Sequence, residues 1–142
     1  MRLSFDTVWV IIQVVGEKDL IKPRHYLLVS NYNSLAQYVG DVLDNHRYEL
    51  KFADNSAEAV RMLERDVCDA VLLDARDLAL CEPIRIHWRG PIVLLVPTDS
   101  RSVVLRGYQS GADMHIPIPC DSRELVARVD AVARRSEIVS KY

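Results

Sequence analysis

The chain has 142 residues, of which 49% are apolar and 27% charged, with a formal net charge of −2. This balance fits one globular domain with a full core and excludes a disordered or low-complexity chain. The near-neutral total leaves no whole-chain electrostatic drive toward nucleic acid, and the longest early apolar run, Val8 to Ile12, is far too short to span a bilayer.

Three cysteines, Cys68, Cys81 and Cys120, are scattered without metal-ligand spacing. Reduced, mostly buried thiols in a cytoplasmic protein are therefore expected. Arg2 is the only basic residue ahead of the first apolar run and no small-residue cleavage site follows it, so no signal peptide is expected. His25, His46, His87 and His115 are equally scattered and form no ligand set.

Residues 1–24 form a distinct N-terminal arm. Val8 to Val15 is dense in β-branched residues and ends in the turn cluster Gly16-Glu17-Lys18-Asp19, which predicts an extra strand or an apolar arm covered by some surface. Pro23 breaks the chain after it.

From there the pattern is regular. Strand-like runs start near Leu27, Tyr48, Ala70, Ile92 and Met114, one about every 22 residues, which fits one strand, one helix and two short loops per unit. The run Ala70-Val71-Leu72-Leu73, bounded by Asp69 and Asp74, reads as a central strand buried on both faces. Strands alternating with helices predict a parallel sheet with right-handed crossovers.

The first helix carries Leu35, Tyr38, Val39, Val42 and Leu43 at helical spacing, with Asn33 or Ser34 as its cap. The second starts at Asn55 with Glu58 three residues on, close to a capping box. Between Asp74 and the strand at Ile92, Pro83 restricts the third crossover to a short helix or turns. A fourth helix covers Ser102 to Tyr108. The last opens at Asp121 with Glu124 and is expected to end near Arg134 and Arg135, where cations suit the helix dipole.

The order of these residues resembles a bacterial response-regulator receiver domain over residues 25–136, leaving 137–142 as a tail or linker. The most specific pieces are Gly111-Ala112-Asp113 through Pro119, then Arg123-Glu124-Leu125-Val126-Ala127-Arg128-Val129 and Arg134-Arg135. They are similar to the ending of receivers joined to OmpR-like winged-helix DNA-binding domains. The resemblance implies a flavodoxin-like, doubly wound α/β fold with five parallel strands in the order 2-1-3-4-5.

It also implies a phosphoacceptor aspartate, an acidic pair holding Mg²⁺, a hydroxyl switch residue and a lysine. Asp74 matches the phosphoacceptor, but the acidic pair falls on Ser30 and Asn31, the switch on Val96 and the lysine on Ile118. Mg²⁺ requires hard oxygens and carboxylate charge, and phosphoryl transfer requires that the moving charge be neutralised. One carboxylate beside two apolar side chains supplies little of either. Asp74 is therefore expected to be a structural carboxylate capped by Ser30, Asn31, Arg76 or backbone donors. No metal, cofactor or enzymatic activity is expected.

The expected function is a phosphorylation-independent regulatory and dimerisation domain of a transcriptional regulator. DNA would be reached only through a winged-helix domain following Tyr142. The resemblance places a homodimer face on Val104, Asp113, Met114, Glu124, Arg128 and Arg135. Alternatives stay open: a sensor holding a small ligand around Ser30, Asn31, Asp74 and Val96, a module on the same fold that binds a partner protein, or a weakly active phosphoacceptor.

Overall fold

The apolar runs become five parallel strands: β1 (Arg24–Val29), β2 (Tyr48–Ala53), β3 (Ala70–Asp74), β4 (Ile92–Val96) and β5 (Met114–Pro117). They form one sheet in the order β2-β1-β3-β4-β5, as the resemblance implies. The computed structural model describes residue 4 and residues 23–43, 48–97 and 100–141, with side chains as far as residue 135. The strand expected at Val8 to Val15 lies outside the described residues.

Strand alternation sorts the core into two faces. On one, Tyr26, Leu28, Leu72, Val93 and Leu95 pack against helix α1 (Asn33–Val42) and helix α5 (Ser122–Lys141). On the other, Leu27, Val29, Val71, Leu73 and Leu94 pack against three helices. These are α2 (Ser56–Arg65), α3 (Cys81–His87) and α4 (Arg101–Gln109). All of β3 and β4 is buried, the signature of strands covered on both faces.

The third crossover is as short as Pro83 demands. A 3-10 turn at Leu78–Leu80 runs into the seven-residue α3, with Pro83 in its first turn, where a missing N–H costs no helical bond. Trp88 packs half-buried against the core beneath it. Gly107 lets α4 lie directly on β4, since a Cβ there would meet Leu94 Cδ1 at 2.0 Å. Gly111 adopts φ +110°, a left-handed conformation suited to glycine, as the chain turns from α4 into β5.

Two helix ends differ from expectation. The N-cap of α1 is Tyr32, without a side-chain cap bond, so neither Asn33 nor Ser34 serves. The short β1–α1 connection brings the backbone into the helix one residue earlier, and the Tyr32 N–H bonds to Ser30 Oγ at 3.0 Å. Helix α5 runs on to Lys141, which puts Arg134 and Arg135 inside it rather than at its cationic end. At α2 the expected cap is present: Asn55 Oδ1 accepts from Glu58 N at 2.8 Å. Glu58 Oε2 reaches back to Asp54 N, one residue before the cap.

Candidate functional site

The register of β1 on β3 pairs Val29 with Leu73. Continuing one residue sets Ser30 beside Asp74, both at the carboxyl edge of the sheet. Strand order reverses between β1 and β3, and such a switch point is where open α/β sheets hold ligands.

Asp74 is fully buried. Its Oδ2 accepts from Ser30 Oγ at 2.8 Å and from Arg76 Nη2 at 2.9 Å. Its Oδ1 accepts from the Arg76 N–H and from Arg76 Nε, both at 3.0 Å. The guanidinium lies 3.7 Å over the ring of Tyr32, a cation–π contact that fixes its plane. The hydrogen bond to Asp74 holds the Arg76 pKa above its already high ordinary value.

Of the expected caps on Asp74, Ser30, Arg76 and a backbone donor are present. Asn31 is exposed and is not among the partners, because the chain turns toward α1 at that point. Val96 is buried at the end of β4 and faces the α2–α4 side. Ile118 packs toward the α1–α5 side, and its N–H bonds to Val96 O at 3.0 Å. The two positions are thus neighbours along the backbone while their side chains point to opposite faces.

These donors leave no place for Mg²⁺. Both carboxylate oxygens are engaged by N–H and O–H groups, and the Arg76 guanidinium is paired with them. Among the described residues no three His, Cys, Asp or Glu side chains come together. The donor set does not fit a divalent cation.

The small-ligand pocket expected around Ser30, Asn31, Asp74 and Val96 is not built from them, because Asp74 and Val96 are buried. A pocket of about 250 Å³ lies next to that cluster. It is lined by Ser34, Leu35 and Tyr38 of α1, by Ile118 and Pro119, and by Arg76 and Pro97. Arg76 entered the sequence reading only as a possible cap and Tyr32 not at all. The signal for both was a lone arginine two residues after a buried aspartate and an aromatic two residues after the facing serine.

Most of the residues expected on the dimer face have partners within the chain. Asp113 Oδ2 accepts from Arg85 Nη2 at 2.6 Å and from Ile92 N at 2.8 Å. Glu124 and Arg128 pair along α5 at 2.8 Å. Val104 is half-buried and packs on the α2–α4 core, whereas Met114 is half-buried and packs on the α1–α5 side. Arg135 is exposed. The exposed apolar side chains of α4 are Leu105, at 59%, and Tyr108, at 41%. Tyr108 OH lies 2.7 Å from His115 Nδ1 on β5.

At the far end of the sheet, the hydroxyls of Tyr26 and Tyr48 both donate to Asp130 of α5, the second at 2.8 Å. Their rings stack at 5.6 Å. Burial, followed by the Asp130 hydrogen bond, pushes the Tyr26 hydroxyl well above its ordinary pKa. No helix among the described residues is long and apolar enough to cross a membrane.

No model of a known protein family matches the chain. The chain is similar to the sensory transduction protein RegX3 of Mycolicibacterium smegmatis, with 30% identity over 114 residues, covering 77% of this chain. It spans about half the length of that curated relative, 50%. Its fold is similar to a two-component response regulator from Clostridium difficile, with a TM-score of 0.70 and 23% identity over 79% of this chain and 97% of that one. The receiver domain of the sensor histidine kinase PA1611 from Pseudomonas aeruginosa, which has magnesium coordinated in its active-site cleft, gives a TM-score of 0.69. That match is 22% identical over 78% of this chain and 98% of the other. Fold, strand order and sequence likeness together define a response-regulator receiver domain of the CheY-like type, the receiver of two-component systems.

Proposed function

We propose that this receiver regulates by contact, with no phosphoryl transfer to Asp74. The observation that supports this reading is the Arg76–Asp74 pair. The carboxylate that would attack a phosphodonor is buried and accepts hydrogen bonds from Ser30 and Arg76. With Ser30 and Asn31 at the acidic-pair positions and Ile118 at the lysine position, the matched positions lack the side chains that would neutralise phosphoryl charge. The domain works through the packing of its α4, β5 and α5 surface, in a homodimer of the OmpR-like kind. The whole protein would be a transcriptional regulator, reaching DNA through a winged-helix domain.

Incubation with acetyl phosphate and Mg²⁺, followed by intact-mass measurement, tests this. No phosphoryl adduct is expected, and Asp74→Asn should leave regulatory output unchanged. Stoichiometric phosphorylation would overturn the proposal.

A ligand-sensing role is the second reading, favoured by the pocket between α1 and the β5–α5 loop.

A further inference from the structure

We infer that this pocket is a binding site for a small planar carboxylic acid with an apolar body. The inference deepens the ligand-sensing reading and rests on Arg76 remaining paired with Asp74. Two features of the pocket choose the ligand class.

The first is Arg76. Asp74 occupies its Nε and Nη2. Among the described residues no partner is assigned to Nη1, so the Nη1–Nη2 edge of the guanidinium is open to a second acceptor. Pairing with Asp74 and stacking on Tyr32 hold the fork in one plane, so little side-chain entropy remains to be lost on binding. A carboxylate fits that edge with two parallel hydrogen bonds.

The second feature is the lining. Leu35, Ile118 and Pro119 present carbon to the cavity, while the Tyr38 hydroxyl is turned to the Cys120 backbone, accepting from its N–H at 3.2 Å. A bare oxyanion such as phosphate would leave several oxygens against carbon without donors, which is costly. A wholly apolar molecule would cover the open guanidinium edge and leave its N–H groups unpaired, which is costly too. A cation would meet Arg76 directly. A flat ring bearing one carboxylate satisfies both the guanidinium and the carbon lining. At about 250 Å³ the cavity suits a compact ligand, since drug-sized pockets begin near ~300 Å³.

The test is an amide-resonance titration of the 142-residue chain with benzoate. Benzamide serves as the uncharged isostere and inorganic phosphate as the anion without a ring. Benzoate at millimolar concentration should give saturable shifts centred on Ser34, Leu35 and Ile118. Benzamide should bind about tenfold more weakly, the loss expected when charge-assisted hydrogen bonds become neutral ones, and phosphate should give no saturable shift. Ile118→Trp fills the cavity without touching Arg76 and should abolish the benzoate response, while its resonance dispersion reports that the fold is intact. The inference is overturned if benzoate gives no saturable shift, if benzamide or phosphate binds equally well, or if a folded Ile118→Trp still binds. Phosphorylation of Asp74 would refute the preceding proposal and is read by mass. An unresponsive pocket would refute this inference alone.

Discussion

Arg76 grips Asp74 with two near-parallel contacts, Nε to Oδ1 at 3.0 Å and Nη2 to Oδ2 at 2.9 Å. The two residues are separated by one alanine in a tight turn at the carboxyl edge of the sheet. Desolvating a carboxylate costs several kcal/mol (about that order), and only well-formed hydrogen bonds to a paired cation offset it. Ser30 and the Arg76 backbone N–H supply the remaining bonds, so Asp74 is buried with both carboxylate oxygens hydrogen-bonded within the chain.

Removing one member of this pair should be far worse than removing both. Arg76→Leu leaves a buried carboxylate short of its cation and should cost about 3 kcal/mol or more. The double variant Asp74→Leu with Arg76→Leu should recover much of that loss. Urea denaturation of the three proteins checks it; equal costs for single and double variants would contradict the buried-pair account.

The latch of α5 on β1 and β2 should be measurable in the same way. Asp130→Ala strips the acceptor from two tyrosine hydroxyls and should cost about 2 kcal/mol. Tyr48→Phe removes one donor and should cost about 1 kcal/mol. A change in denaturation midpoint within experimental error for Asp130→Ala would show that the cluster holds nothing in place.

Cys68 makes stability fall at alkaline pH. Burial pushes its thiol from an ordinary 9.0 to about 12, even though its Sγ bonds to Ala70 O. Between those values the unfolded thiol has lost its proton and the folded one retains it. The folded state therefore binds more protons, and stability declines as pH rises from about 9 toward about 12. Tyr26 adds to the decline at the high end. Chemical denaturation at a series of pH values should show a shallower decline for Cys68→Ala than for the unaltered chain, and parallel curves would refute the assignment.

The α4–β5 surface should carry the dimer. Leu105 and Tyr108 are the exposed apolar side chains of α4, and Met114 of β5 is half-buried. In a symmetric contact every substitution counts twice. Leu105→Glu and Met114→Lys should each shift sedimentation toward monomer by tenfold or more in dissociation constant, roughly the effect of placing an unpaired charge in a buried contact. Val104→Glu should instead lower stability as well, because Val104 packs on the core. A wild type that sediments as monomer at high micromolar concentration would remove this surface from consideration.

Much of this protein is legible in one dimension because its elements are local. The β3 and β4 runs, Ala70–Asp74 and Ile92–Val96, are apolar throughout, and only a strand covered on both faces tolerates that. Asn55 with Glu58 sets the start of α2 through bonds spanning a few residues. Pro83 limits α3 through its own ring. Together with the order of the motifs, these residues determine the parallel sheet and the short third crossover.

What only the tertiary structure decided depends on direction and distance between elements far apart in the chain. The register of β1 on β3 determines that Ser30, and not Asn31, reaches Asp74. Strand alternation sends Val96 and Ile118 to opposite faces, although the motif places both at the same edge. The turn after β3 aims Arg76 back onto Asp74 and over Tyr32, and Arg76 also lines the cavity beside α1. A side chain's identity is written in the sequence. The partner it meets follows from how strands are registered and helices laid across them, because hydrogen bonds act over about 3 Å and their geometry is set by packing.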